Sequence, residues 1–107
     1  MSDTTKRTTY RATVLHEGGE WIAHCLDLDI VAAGKTQDEV LDGLVEAIGL
    51  QLAYAREQDN YAYLVRLAPA EAWQKLAEIL SGDFQTVTRP IDDSNSGQNL
   101  LEAQLAA

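Results

Sequence analysis

Turned at 100° per residue, Val40, Leu41, Leu44, Val45, Ala47, Ile48, Leu52 and Ala55 fall on one arc of roughly 160°. Asp38, Asp42, Glu46 and Arg56 lie opposite. A segment patterned this way needs a partner surface for its apolar side, because a lone helix of this length is marginal in water. The residues before it supply one. Thr8 to His16 alternates, with Tyr10, Ala12 and Val14 on one face and Arg11 and Thr13 on the other. Glu17-Gly18-Gly19-Glu20 reads as a hairpin turn, since glycine accepts the positive φ that such turns require. Trp21 to Cys25 and Ile30 to Ala33 read as two further strands, with the short acidic link Leu26 to Asp29 between them. The sequence therefore predicts an α+β domain: an antiparallel three-stranded meander covered by one long helix.

The helix boundaries are also written locally. Thr36 is a strong N-cap, and Glu39 completes a capping box. Asp38 and Glu39 suit the positive end of the helix dipole. The helix is expected to run to about Glu57, with Asp59-Asn60 at its end. Two glycines, Gly43 and Gly49, fall away from the main apolar arc. Gly43, Ala47, Leu50 and Tyr54 make a second, narrower strip. It is expected either to meet the chain's own C-terminal half or to serve as a self-association contact.

Tyr61 to Leu67 is a fourth strand candidate. Pro69 suits the first position of a second helix over 69–81, with Ala72, Trp73, Leu76, Ile79 and Leu80 as its apolar side and Ser81-Gly82 as its stop. Trp73 reads as core rather than a binding platform. Phe84 to Arg89 is a candidate for a last short strand. Residues 1–89 are thus expected to form the domain. Residues 90–107 are expected to be a mobile C-terminal tail, with Leu100 to Ala107 forming a marginal helical turn or two.

The chain has 107 residues, one cysteine and a net charge of −9. Ten acids stand between Glu17 and Asp59 against only Lys35 and Arg56. That field repels nucleic-acid phosphates and anionic lipid and attracts a basic partner. The same charge also serves plain solubility. Lys6, Arg7 and Arg11 are too few for a nucleic-acid footprint, so specific DNA binding by this chain alone is not expected. The polar N-terminus has no apolar signal-peptide core, and no apolar run reaches a membrane span, so the expected compartment is the cytoplasm.

Candidate chemistry is sparse. Asp27 and Asp29 follow a strand but have no third carboxylate at a diagnostic spacing for metal catalysis. His24 and Cys25 are neighbours in a strand and point to opposite faces, so they do not ligate one ion. His16 and His24 can approach across the hairpin as a weak two-histidine pair. Cys25 reads as a small core residue. No P-loop, GxGxxG, GxSxG or HExxH pattern occurs. No catalytic residue, metal ligand or cofactor is expected, and the chain is not expected to be an enzyme.

The stretch Trp21 to Glu57 carries a family pattern. Cys25, Leu26, Asp27, Leu28, Asp29 and Ile30 form one block, followed by Gly34 and Thr36, then Glu39, Leu41, Leu44, Glu46, Ala47, Ile48 and Leu50 along the helix. This resembles the HicB antitoxin family of type II toxin–antitoxin systems, in a short solitary form. The resemblance implies a partial RNase H-like β-β-β-α-β fold, here with an additional C-terminal helix, that lacks the nuclease carboxylates. It implies a binding module that covers a small basic mRNA-cleaving HicA-like ribonuclease, and it implies a homodimer or higher homo-oligomer. Nothing after Tyr61 resembles the DNA-binding domain that many members carry. Two alternatives stand beside this reading. One is a solitary HicB-like interaction module with a different partner, and the other is an RNase H-like metal-dependent nuclease. The acidic surface around Asp27, Asp29, Asp38, Asp42 and Glu46 is the expected docking face.

Overall fold

A computed structural model describes residues 8–58, 67–91 and 99–106. Its elements follow the order β1 (Thr9–Glu17), β2 (Glu20–Cys25), β3 (Ile30–Gly34), α1 (Gln37–Gln58), α2 (Ala70–Leu80), β4 (Phe84–Ile91) and β5 (Asn99–Ala106). The chain is a mixed α+β protein, with a five-stranded sheet in the order β3-β2-β1-β5-β4. The first three strands form the expected antiparallel meander. Gly18 and Gly19, at φ 59° and 83°, make the two-residue turn whose twist matches the strands it joins.

Strand parity decides the core. Ala12, Val14, Ala23 and Cys25 point to the α1 side. Val40, Leu41, Leu44, Ile48 and Leu52 meet them from the helix. Leu101, Ala103 and Leu105 complete this core from β5. At the start of α1, Thr36 Oγ1 accepts the Glu39 N–H at 3.0 Å. Glu39 Oε1 reaches back to the N–H of Lys35 at 2.6 Å, one residue earlier than the usual reciprocal contact. Gly34 permits this return. A Cβ there would stand 3.0 Å from Glu39 Oε1 and 3.1 Å from the Val40 nitrogen.

The opposite face of the sheet is covered by α2, which packs on β5 and β1. Leu26, Ala68 and Leu76 form a small buried cluster with Ala72 and Trp73 against it. Trp73 is therefore packed as expected, and the Arg11 guanidinium lies 5.4 Å from its ring centroid. The Leu26 N–H donates to the Arg11 carbonyl at 2.8 Å, and the Ala68 N–H donates to the Leu26 carbonyl at 2.9 Å. These two bonds tie the chain before α2 to the end of the hairpin.

Several expectations are corrected. The segment expected as a tail with a marginal helix supplies β5, so the folded domain reaches Ala106. β5 lies between β1, to which it is parallel, and β4, to which it is antiparallel. Its alternation of Leu101, Ala103 and Leu105 suits a central strand, and ladder bonds on both sides outweigh the helix preference of Leu, Glu and Gln. The last strand expected over 84–89 extends to Ile91 and forms an antiparallel hairpin arm with β5. Pro69 is the N-cap of α2, with φ −61° and ψ 159°, rather than its first helical residue. Gly49 is buried, not set apart from the core side. The strand expected over 61–67 lies outside the described residues apart from Leu67, and so does the expected helix end at Asp59-Asn60. No helix among the described residues is long and apolar enough to cross a membrane.

Candidate functional site

The acidic stripe of α1 is built by a four-residue repeat, which brings Asp38, Asp42 and Glu46 onto one helix flank. All three are exposed. Arg89, from the edge strand β4, reaches across and divides its guanidinium between two of them. Its Nη2 donates to Asp38 Oδ1 at 2.8 Å and its Nη1 to Asp42 Oδ1 at 2.9 Å. The side chain of Arg89 is 28% exposed, against 82% and 74% for the two carboxylates. Packing thus holds the cation while the anions remain open to solvent. The flank binds one guanidinium by a charge-assisted fork, a geometry that Lys cannot reproduce. Glu46 extends the stripe by one further turn.

Asp27 and Asp29 do not extend this stripe. Asp27 Oδ2 accepts the Arg11 N–H at 2.7 Å, closing the link after β2 against β1. Asp29 sits at φ 55°, a left-handed conformation that Asp tolerates better than most residues. There its Oδ1 accepts from His24 Nε2 at 2.7 Å. His24 pairs with Thr13 on one side and Val31 on the other, on the sheet face away from α1. The five acidic residues therefore divide between two faces. Sequence spacing placed the helical three together correctly. The other two are used locally by a tight connection.

His16 and His24 also part company. His16 stacks on its cross-strand partner Trp21, with ring centroids 4.5 Å apart and planes within 12°. His16 thus shares the face of Trp21, and His24, three residues further along β2, lies on the opposite face, so the two-histidine pair does not form. Cys25 is fully buried on the α1 side. Burial pushes its thiol pKa up from 9.0 to about 11, against the lowering effect of backbone hydrogen bonds from Leu28 and Asp27. Its role is packing. Among the described residues, no group of three or more His, Cys, Asp or Glu side chains is placed to hold a metal ion.

Two other surfaces are apolar. A groove of about 350 Å³ runs beside α2, lined by Leu15, Ile22, His24, Val31, Pro69 and Ala72 among others. The second strip of α1 is the other. Leu50 is 66% exposed and Tyr54 58%, and a Cβ added at Gly43 would meet nothing within 4 Å. The strip was expected either to meet the C-terminal half or to be a subunit contact. α2 packs on the other side of the sheet, so it does not cover these residues.

Sequence reasoning did not find Arg89. It lies 51 and 47 residues from its two partners, so no local spacing marks it. The His24–Asp29 pair was within reach, because strand parity already separated His24 from Cys25 and left it facing the connection.

No protein-family model, curated protein or solved structure matches this chain.

Proposed function

We propose that the chain is a protein-binding module of the HicB antitoxin type, which neutralises a small basic, mRNA-cleaving ribonuclease by covering it. The observation that carries this reading is the exposed row of carboxylates Asp38, Asp42 and Glu46 on one flank of α1, two of which stay largely open to solvent even though Arg89 of the same chain bonds them. Glu46, one turn further on, offers a carboxylate outside the Arg89 fork to a basic partner. The order of elements supports the partial RNase H-like reading. Three antiparallel strands precede one long helix, and a later strand then lies parallel to β1. An antitoxin of this kind acts by occlusion and needs no chemistry of its own. Its acidic field would speed encounter with a basic ribonuclease and favour that partner over acidic ones.

The test uses a short basic reading frame adjoining this gene, expressed as the candidate toxin. The triple variant Asp38→Asn, Asp42→Asn, Glu46→Gln should associate several-fold more slowly at low salt, and the gap should close as salt rises. Arg89→Gln should act in the opposite direction, because it uncovers two carboxylates. An unchanged association rate in both variants at low salt removes the α1 flank as the docking face. Failure of the wild-type chain to bind or inhibit the toxin removes the antitoxin reading. The groove beside α2 favours a second reading, a HicB-like interaction module that takes an apolar segment of a different partner.

A further inference from the structure

α2 covers only part of its face of the sheet. It packs on β5 and β1, while Val31 and Ala33 of β3 are exposed beyond it. The groove of about 350 Å³ lies between, with Pro69 and Ala72 of α2 as one wall, Leu15 and Ile22 as floor and Val31 as the outer rim. β3 is an edge of the sheet, and among the described residues no strand lies beyond it. It has no charge and no proline. The other edge, β4, carries Arg89 and Pro90, ordinary protections against strand addition.

The register shows which groups the β3 edge presents. A two-residue hairpin loop is closed by a hydrogen-bonded pair, here Glu17 and Glu20. Bonded pairs alternate from there, so Trp21, Ala23 and Cys25 bond toward β3, where Gly34, Ala32 and Ile30 answer them. The N–H and C=O groups of Val31 and Ala33 are left to face outward. Their side chains stand on the groove side, because Val31 pairs with His24 and Ala33 with Ile22, and both partners line the groove.

Charge changes sign along the groove. The Ala68 N–H is bonded to the Leu26 carbonyl, so α2 begins at the end of β2 that pairs with Ile30. Lys75, further along α2, also borders the hairpin end beside His16 and Trp21. Trp21 pairs with Gly34, so α2 and β3 run the same way. Asp29 and Glu71 stand at the first end, and Lys35 and Lys75 toward the second. Asp29 is bonded to His24, and Lys75 approaches Glu78 at 3.8 Å in an exposed pair.

We propose, resting on the interaction-module reading of this groove, that it binds an extended segment of a partner protein added antiparallel to β3. The segment carries an acidic, an apolar, a second apolar and a basic residue at alternate positions. Its backbone forms two hydrogen bonds with Val31 and two with Ala33. The first apolar side chain faces Ala33, whose methyl leaves space to lean toward Ile22, and the second packs on Val31. The acidic residue then comes level with Lys35, on the Lys75 side, and the basic residue level with Asp29, on the Glu71 side. Main-chain bonds supply affinity, and the alternate side chains select the sequence.

The probe is the capped peptide acetyl-Ser-Glu-Thr-Leu-Thr-Val-Thr-Lys-Ser-amide, titrated into the full chain by calorimetry, with amide hydrogen exchange followed by NMR. It should bind saturably and slow exchange at Val31 and Ala33, while Ala32, already bonded to β2, changes little. Exchanging Glu and Lys in the peptide should weaken binding several-fold at low salt. Glu71→Lys combined with Lys75→Glu in the chain should remove that preference. N-methylation of the leucine amide, which faces Ala33, should abolish binding, whereas N-methylation of the central threonine amide, which faces away, should be tolerated. If the leucine-methylated peptide binds as well as its parent, strand addition is overturned and the interaction-module reading stands. If no peptide binds, both fall. Equal or tighter binding of the charge-exchanged peptide overturns the antiparallel placement. Exchange at Val31 and Ala33 that is already slow in the free chain, and slows further with concentration, overturns the proposal by showing a second copy on the edge. The toxin plays no part in these measurements, so their outcome is independent of the antitoxin reading.

Discussion

The two faces of the sheet are covered by helices of very different reach. α1 spans 22 residues and seals a continuous apolar core with β1, β2 and β5. α2 spans 11 residues and buries a small cluster around Leu26, Ala68 and Leu76. Under α1 the sheet contributes Ala12, Val14, Ala23 and Cys25, all buried and none able to hydrogen-bond through an oxygen or nitrogen side-chain atom. On the other face Thr13 and Gln104 are buried polar residues. Gln104 is satisfied there by Thr86, whose hydroxyl donates to its Oε1 at 2.7 Å. That face also leaves a groove open beside Val31. The contrast assigns stability mainly to the α1 face, while the α2 face carries buried polar side chains and an open groove.

Four measurements break or sharpen this contrast. The largest effect is expected at the centre of the α1 face. Leu44→Ala removes a fully buried side chain from a site walled by strands, and should cost about 3–4 kcal/mol in urea unfolding. The next concerns Cys25 on the same face. Its folded pKa is raised, so the stability it contributes is full below about pH 9 and is lost as pH rises through about 11. Unfolding free energy should fall by about 2–3 kcal/mol between those values, and the fall should be much smaller in Cys25→Ala. On the α2 face, Leu76→Ala should cost about 2 kcal/mol, because its cluster is small and borders a groove that can relax. A cost equal to that of Leu44→Ala would show the two faces to be energetically alike. The smallest effect is expected at the flank. Arg89→Met keeps the aliphatic stem but removes both ion pairs to highly exposed carboxylates, and should change stability by less than about 1 kcal/mol.

Much of the architecture before Gln58 was legible because its signals are local. The alternation at Ala12, Val14 and Ala23, the Gly-Gly turn and the Thr36–Glu39 cap each depend on neighbours a few residues away. Asp38, Asp42 and Glu46 were placed together for the same reason, since helical spacing alone aligns them. The local bonds of Asp27 and Asp29 carried no such signal, because a connection has no period. Whether a carboxylate there faces solvent or closes a turn depends on what stands across from it, here the Arg11 N–H and His24.

What the sequence by itself determined is the set of amphipathic surfaces: three strands with one apolar side, a long helix to cover them, and a shorter helix with its own stripe. Only the tertiary structure decided how they combine. It placed β5 inside the sheet, between β1 and β4, although its Leu, Glu, Ala and Gln residues suit a helix equally well. It put α2 on the far face, which left the Gly43–Tyr54 strip uncovered by it, and it brought Arg89 to the acidic stripe from the opposite end of the chain. Intrinsic preferences amount to tenths of a kilocalorie per residue, whereas a central strand gains ladder bonds on both sides and burial against α1. Those gains exist only once distant segments have met, and for that reason they leave no local mark in the sequence.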